Sequence, residues 1–392
     1  MKTAGIIAEY NPFHTGHAYQ LKRLRELGAE RIVVVMSGNA VQRGDFAVAE
    51  KRARAKAAVL NGADLVLGLP APWSSAGANR FAVGGVRLLD SLGCVDTLCF
   101  GSESGDVEAI KAAAAGENDE KYPGLLKEGL ELSMTFAAAR ERALENLRPE
   151  ASAVLRSPND ILGVEYVKAL NALGSSIVPY AVKRQGAGHD RPAEGGFSSG
   201  AEIREKLFAG EFPEEYLSSA EILKEEIEAG RAPVSLKNIE RAALCALRRL
   251  SPEDIAKAPD ISEGIENRIY SAVRSSVTLE ELYDGAKTKR YTHARIRRVV
   301  LHSFLGLTRE LSAGLPPYIQ PLALNGRGRE ILREARNAAE LPVVMRFSDV
   351  QGLSPEARQV FAAECALEDM FTMAMPKPDI CGLEQAGNVI LL

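Results

Sequence analysis

Apolar positions in the first half of the chain come in blocks, and each block is followed by a stretch of different period. Ala4 to Ala8 form a short continuous apolar run that stops at Asn11-Pro12, a turn no strand continues through. From Gly16 the spacing becomes helical, with Leu21, Leu24 and Leu27 on one face. Arg31 to Met36 is a second unbroken run ending in Ser37-Gly38-Asn39, and Asp64 to Leu69 is a third, stopped by Pro70. Between them lie a polar loop from Ala40 to Val48, carrying Gln42, Arg43 and Asp45, and a basic helix from Ala49 to Leu60. The pattern predicts a further helix from Trp73 to Leu92 and a fourth strand from Thr97 to Phe100, ending at Gly101. A helix from Ser157 to Leu173 and a fifth strand from Ser176 to Val182 close the series. Strands that read as fully apolar and alternate with helices imply an α/β doubly wound parallel sheet. Ligands of such sheets bind beyond the carboxyl ends of the strands, so His14, Ser37, Pro70 and Gly101 are expected at one crevice.

Residues 105–150 read as charged helices, an insertion or flanking hairpin. After about Glu211 the pattern is amphipathic helix throughout, over 214–230, 236–250 and 262–282. The tail adds a strand-like Val343-Val344-Met345 and a helix around Ala357 to Leu367. The expected division is therefore an α/β domain over 1–210 and a mainly α-helical domain over 211–392. A chain of 392 residues is long enough for two cores. With 46% hydrophobic and 26% charged residues, no apolar run of membrane-spanning length and no basic-then-apolar leader, it reads as a cytoplasmic globular protein without a membrane or obligate protein partner. Five scattered cysteines without a Cys-x-x-Cys fit buried free thiols better than disulfides or zinc, and no metal site is expected. A net charge of -4 excludes a uniformly basic nucleic-acid binder while leaving room for a basic patch.

The chemistry-bearing residues fall where elements change. His14-Thr15-Gly16-His17 sits where the first strand hands over to a helix, whose unpaired N–H groups and macrodipole favour an anion. Two imidazoles there, with a glycine between them, suit a polyphosphate. Ser157 is expected as an N-cap with Asp160 completing a capping box, which leaves Asn159 either to read an adenine edge or a ribose with its amide or to be a plain surface asparagine. Lys183-Arg184 ends the fifth strand, where two cations can meet phosphates. Gly186 to Gly196, with His189 and Asp190, reads as a loop over the site. In Ser198-Ser199-Gly200-Ala201-Glu202-Ile203-Arg204, serines precede a helix and Arg204 lies one turn in. Lys51, Arg52, Arg54 and Lys56 are expected mostly to solvate their helix. From Lys287 to Arg298 there are six cations in twelve residues, and their single sign in an otherwise acidic chain favours an RNA-phosphate surface over a solvated face.

The His-x-Gly-His element resembles the signature of the nucleotidylyltransferase superfamily, which binds ATP on a Rossmann-like sheet and splits it between the α and β phosphates. The Ser198 to Arg204 segment is similar to that superfamily's second element, although Gly200-Ala201 stand where it carries threonine. Ile6 to His17, Ser157 to Asn159, Lys183-Arg184 and Lys287 to Arg298 together resemble the bacterial tRNA(Met) cytidine acetate ligase family over nearly the full length. The resemblance implies activation of acetate with ATP to acetyl-adenylate, then transfer of acetyl to the wobble cytidine of elongator tRNA(Met) to give N4-acetylcytidine. It implies catalytic roles for His14 and His17. ATP would be bound by Ile7, Ala8, Glu9, Tyr10, Asn11, Pro12, Phe13, His14, Thr15, Gly16, His17, Ala18, Tyr19, Gln20, Gly101, Asn159, Arg184, Ser199 and Arg204. For tRNA the expected residues are Lys287, Lys289, Arg290, Arg295 and Arg298. ATP enters as a substrate, and a magnesium requirement stays open. Two other readings share parts of this pattern: an adenylyltransferase of coenzyme biosynthesis, which the extended helical half disfavours, and a catalytically silent RNA-binding protein, which has no need of His14, His17 and Arg204 together.

Overall fold

The computed structural model describes residues 1–184, 197–262, 264–288 and 291–392. Five parallel strands form the centre: β1 (Thr3–Ala8), β2 (Arg31–Ser37), β3 (Leu65–Leu69), β4 (Thr97–Ser102) and β5 (Val178–Lys183). β1 lies between β2 and β4, with Thr3 opposite Arg31 and Ala8 opposite Met36. β2 through β4 are almost wholly buried, which is why they read as unbroken apolar runs instead of alternating ones. One face is covered by the Ala78–Asp90 and Pro158–Leu173 helices. The Thr15–Glu26 and Lys51–Leu60 helices cover the other.

The sheet extends beyond the expected five strands. β6 (Gln320–Leu324) pairs antiparallel with β3, and β7 (Ile390–Leu391) pairs parallel with β6, giving the order β5-β4-β1-β2-β3-β6-β7. Pro321 hides β6 from a sequence reading, because proline donates no ladder hydrogen bond. The register shifts between Val66 and Leu67, just where Pro321 pairs, so a local irregularity accommodates it. Val343 makes only an isolated bridge to Ile319. The expected hairpin over 105–150 is three helices and a 3-10 segment, and the late helix is longer than expected, Pro355–Met373.

The remaining helices, among them Glu240–Arg248, Ile265–Ser275, Leu279–Ala286 and His293–Leu305, share a second apolar core with the start of the crevice region. That core takes in Ala40 and Phe46, from a short antiparallel ribbon (Ala40–Val41 with Asp45–Phe46), and Ala71 after β3. Phe46 meets Phe371 edge to face at 5.7 Å. The helical part is thus docked on the carboxyl ends of β2 and β3. Gly44 marks the tightest approach: it has φ +73°, and a Cβ there would lie 2.4 Å from the backbone of Arg297 and Arg298.

The basic helix after the ribbon is not a solvated face. Lys51 is 1% exposed and pairs with Glu384 at 2.9 Å and Glu364 at 3.3 Å, and Arg54 is 3% exposed. All five cysteines are free, but only Cys99 and Cys365 are buried, while Cys245 and Cys381 are exposed. No helix among the described residues is long and apolar enough to cross a membrane.

Candidate active site

After β1 the chain passes Glu9 and turns at Tyr10, which takes a left-handed φ of 48°. His14 then serves as the N-cap of the Thr15–Glu26 helix. Its Nδ1 accepts the Gly16 N–H at 3.1 Å, and His17 Nδ1 accepts the His14 N–H at 3.2 Å. This reciprocal cap fixes both tautomers: an accepting Nδ1 bears no proton, so each neutral ring carries it on Nε2 as a donor. The rings stack with centroids 3.6 Å apart. Burial, then Arg184 and Arg204, pushes His14 down to about 3. Burial, then His14 and Arg184, holds His17 well below the usual histidine range. Before ligand binds, the pair is two neutral N–H donors among guanidinium groups.

The carboxyl ends of the strands are held from behind. The Arg54 guanidinium donates to the carbonyls of Glu9 (2.7 Å), Gly38 (2.6 Å) and Ala49 (2.8 Å), tying the ends of β1 and β2 together. Asn11 Oδ1 accepts the Val48 N–H at 2.8 Å, so this side chain is used in the scaffold. Glu9 Oε1 accepts the Gln42 N–H at 2.8 Å and fixes the ribbon at the crevice mouth.

Two joined compartments result. The larger, about 320 Å³, is lined by Ile7, Ala8, Glu9, His17, Gln20, Gln42, Arg43, Ala78, Phe81, Phe100, Gly101, Pro158, Asn159, Ile161, Leu162, Tyr166 and Arg184. The second, about 190 Å³, shares Glu9, His17, Arg43, Asn159 and Arg184 with it and adds Tyr10, Asn11, His14, Gly16, Ser199 and Arg204. Tyr19 lines a side pocket beside Lys183 and Arg184. Pro12 and Phe13 instead face a small cavity on the other side of the turn, with Ala53 and Leu223. Thr15 and Ala18 line none of these spaces. The sequence singles out Gln42 and Arg43 only as polar loop residues and does not pick out Ala78, Phe81, Ile161, Leu162 or Tyr166; their spacing carries no chemical signature, and only the sheet brings them to one place.

The second element places a serine-capped helix start beside an anchored arginine. Ser199 caps the Gly200–Phe208 helix, accepting the Glu202 N–H at 3.2 Å, and Ser198 donates to Glu202 at 2.8 Å. Arg204 is anchored on the Asn11 carbonyl at 2.5 Å, and its burial together with nearby Arg43 pushes its pKa down. A Cβ at Gly200 would sit 3.3 Å from both Arg204 Nη1 and the Asn11 carbonyl, so a larger residue there would crowd the arginine.

Several expected roles differ. Ser157 makes no side-chain cap, and Asp160 is not part of a capping box: it accepts from Ser102 Oγ and from the N–H groups of Glu103 and Ser104 at 3.1 Å, binding the helix to the end of β4. Asn159 is not unengaged, since its Nδ2 donates to Glu103 at 2.6 Å. It lines both compartments with this amide already engaged. The loop expected from Gly186 to Gly196, with His189 and Asp190, lies outside the described residues, as do Lys289 and Arg290. Lys287 is exposed. Arg295 donates to the Asp260 carbonyl (2.8 Å) and Ser262 (2.6 Å), and Arg298 pairs with the Asp260 carboxylate at 2.8 Å. Both arginines are thus engaged within the helical part, and Arg298 also reaches the Gln42 carbonyl of the ribbon at 3.5 Å.

A family model described as HIGH Nucleotidyl Transferase matches residues 1–385. A tRNA(Met) cytidine acetate ligase of Acetivibrio thermocellus is 36% identical over 420 residues, covering 100% of both chains. One from Thermoanaerobacter sp. (strain X514) is 37% identical, again over 100% of each. The chain belongs to the tRNA(Met) cytidine acetate ligase family. Among solved structures, Thermotoga maritima TmcAL bound with alpha-thio ATP superposes with a TM-score of 0.92 at 33% identity, over 100% of both chains. The apo form of the same protein gives 0.94 at 34% identity. The two compartments bring Arg43, Arg184 and Arg204 together with two neutral imidazole donors, groups that complement a polyphosphate.

Proposed function

We propose that this protein uses ATP to activate acetate as acetyl-adenylate and passes the acetyl group to the wobble cytidine of elongator tRNA(Met), giving N4-acetylcytidine. The observation that carries this reading is the full-length match to relatives named tRNA(Met) cytidine acetate ligase and to a structure bound with alpha-thio ATP; a compartment lined by His14, His17, Arg43, Arg184 and Arg204 supports it. In this reading the adenosine end of ATP lies along Gly101 and Asn159, and the β and γ phosphates lie among His14, His17, Ser199, Arg184 and Arg204. As the bond from the α phosphorus to the leaving pyrophosphate breaks, negative charge grows on that pyrophosphate. Donors already aimed there stabilise the transition state without reorganising. The two Nε2–H groups and the two guanidinium groups do so by electrostatics, and no proton transfer is asked of the imidazoles. In this reading residues 1–210, with the two strands that the far end of the chain adds to the sheet, make the adenylate, and the helices between Ala220 and Leu305 dock the tRNA. A magnesium ion arriving with ATP would take its ligands mainly from phosphate oxygens and water. Pyrophosphate release from ATP, measured against a panel of small carboxylates with and without tRNA, tests the whole reading: acetate alone should release it, and tRNA should accelerate turnover. Release that needs a phosphorylated acceptor instead of a carboxylate would point to coenzyme adenylylation.

A further inference from the structure

One wall of the larger compartment is left over once the nucleotide is placed along Gly101 and Asn159. It is made of Gln42 and Arg43 from the ribbon, facing Ala78 and Phe81 at i and i+3 on one face of the Ala78–Asp90 helix. Arg43 lines both compartments, so it stands where the nucleoside and polyphosphate spaces meet. Displacement at phosphorus runs in line, with attacking and leaving oxygens on opposite sides. With pyrophosphate leaving toward His14 and Arg204, the attacking acid approaches from the other side of the α phosphorus, and Gln42, Ala78 and Phe81 line the larger compartment without lining the polyphosphate one, with Arg43 at the junction. A small carboxylic acid needs a cation and a polar donor at one end and a short apolar stop at the other, which is what the four residues provide. Arg43 suits the planar carboxylate. The ribbon itself is immobilised, through Gln42 N–H to Glu9 Oε1 at 2.8 Å.

Resting on the acetate-ligase reading above, we propose that Gln42, Arg43, Ala78 and Phe81 form the carboxylate subsite: Arg43 and Gln42 hold the acid's oxygens while Ala78 and Phe81 bound its methyl group and set the chain length accepted. In the step it serves, a carboxylate oxygen bonds to the α phosphorus, the bond from that phosphorus to the bridging oxygen breaks, and its electron pair leaves with pyrophosphate.

The test is carboxylate-dependent pyrophosphate release by the full chain with formate, acetate, propionate and butyrate, alongside ATP binding and thermal midpoint. Ala78→Val should shift preference toward formate, and Phe81→Leu should shift it toward propionate, each by about tenfold, the usual worth of one methylene in a pocket. Arg43→Gln should raise the acetate KM more than it weakens ATP binding. Wild-type chain-length preference in both pocket variants, with ATP binding and stability intact, overturns the subsite alone. Loss of ATP binding in Ala78→Val would put the nucleotide on this wall and overturn it too. No carboxylate-dependent release by the wild type would remove the ligase reading itself, a separate result.

Discussion

At the scale of single residues, the histidine pair is the feature with the most checkable chemistry. Removing one preorganised donor from a site of developing charge costs about a hundredfold or more in rate. His14→Ala and His17→Ala should each lower acetate-dependent pyrophosphate release by that order while weakening ATP binding less; wild-type rates in both would refute the assignment. Protonation gives a second test. Burial pushes His14 down to about 3 and His302 down to about 4, and holds His17 far below its usual range. In the free protein all three rings should therefore stay neutral at pH 5.5 by histidine NMR. Adding ATP brings negative charge to the side where Arg184 and Arg204 repel a ring proton. It should raise His14 and His17 and leave His302, bonded to Ser75, unmoved. Equal response of all three would show that the triphosphate lies elsewhere. The stability consequence has a definite sign: folded values below the unfolded one mean that the contribution is complete above about 6.5 and is lost as pH falls toward 3.

Between elements, the decisive packing is where the helical part seats on the strand ends. Gly44 is needed there twice over, for its positive φ and because its Cα faces the backbone of the His293–Leu305 helix. Gly44→Ala combines left-handed strain with an overlap that no rotamer relieves, and should cost about 2–4 kcal/mol. Thermal unfolding reads that loss directly. Because the ribbon carries Gln42 and Arg43, the same variant should also lose carboxylate-dependent turnover at temperatures where it is folded. An unchanged midpoint would mean that the ribbon and helix are not packed as described. Other interactions hold the strand ends without entering the cleft, namely Arg54 on three carbonyls and Asp160 on the end of β4.

Across the whole molecule, the proposed reaction requires that tRNA reach an adenylate held in the crevice. The basic segment divides in the structure: Arg295 and Arg298 are tied to Asp260, whereas Lys287 is exposed. Replacing Lys287, Lys289 and Arg290 together with glutamine should weaken tRNA binding and flatten its salt dependence, by about one unit of log-log slope for each phosphate no longer neutralised. Acetyl-adenylate formation without tRNA should survive in that variant. Arg295→Gln with Arg298→Gln should instead lower thermal stability, since each removes an internal partner. Normal tRNA binding by the triple variant would make the segment an ordinary solvated face. The two halves are also joined away from the site, by the buried Lys51 paired with Glu364 and Glu384 from the far end of the chain. Breaking such a pair by removing one partner leaves an uncompensated buried charge.

Much of this was legible in the chain itself. The five parallel strands, the histidine pair at a strand-to-helix junction and the arginine one turn into the Gly200–Phe208 helix are local patterns. Each needs only a few consecutive residues, whose apolar period or capping chemistry is written in order. What tertiary structure alone decided is everything that depends on which distant segments meet. Lys51 and Arg54 look like a solvated basic face until Glu364, Glu384 and the carbonyls at the strand ends are brought around them. Asp160 looks like a cap until β4 presents its N–H groups. β6 is five residues with a proline in it, and only pairing with the edge of β3 makes it a strand. Gln42, Arg43, Ala78 and Phe81 carry no signature at all, because a cleft wall is a property of convergence: its members are chosen by the order of strands in the sheet, and a linear sequence does not state that order.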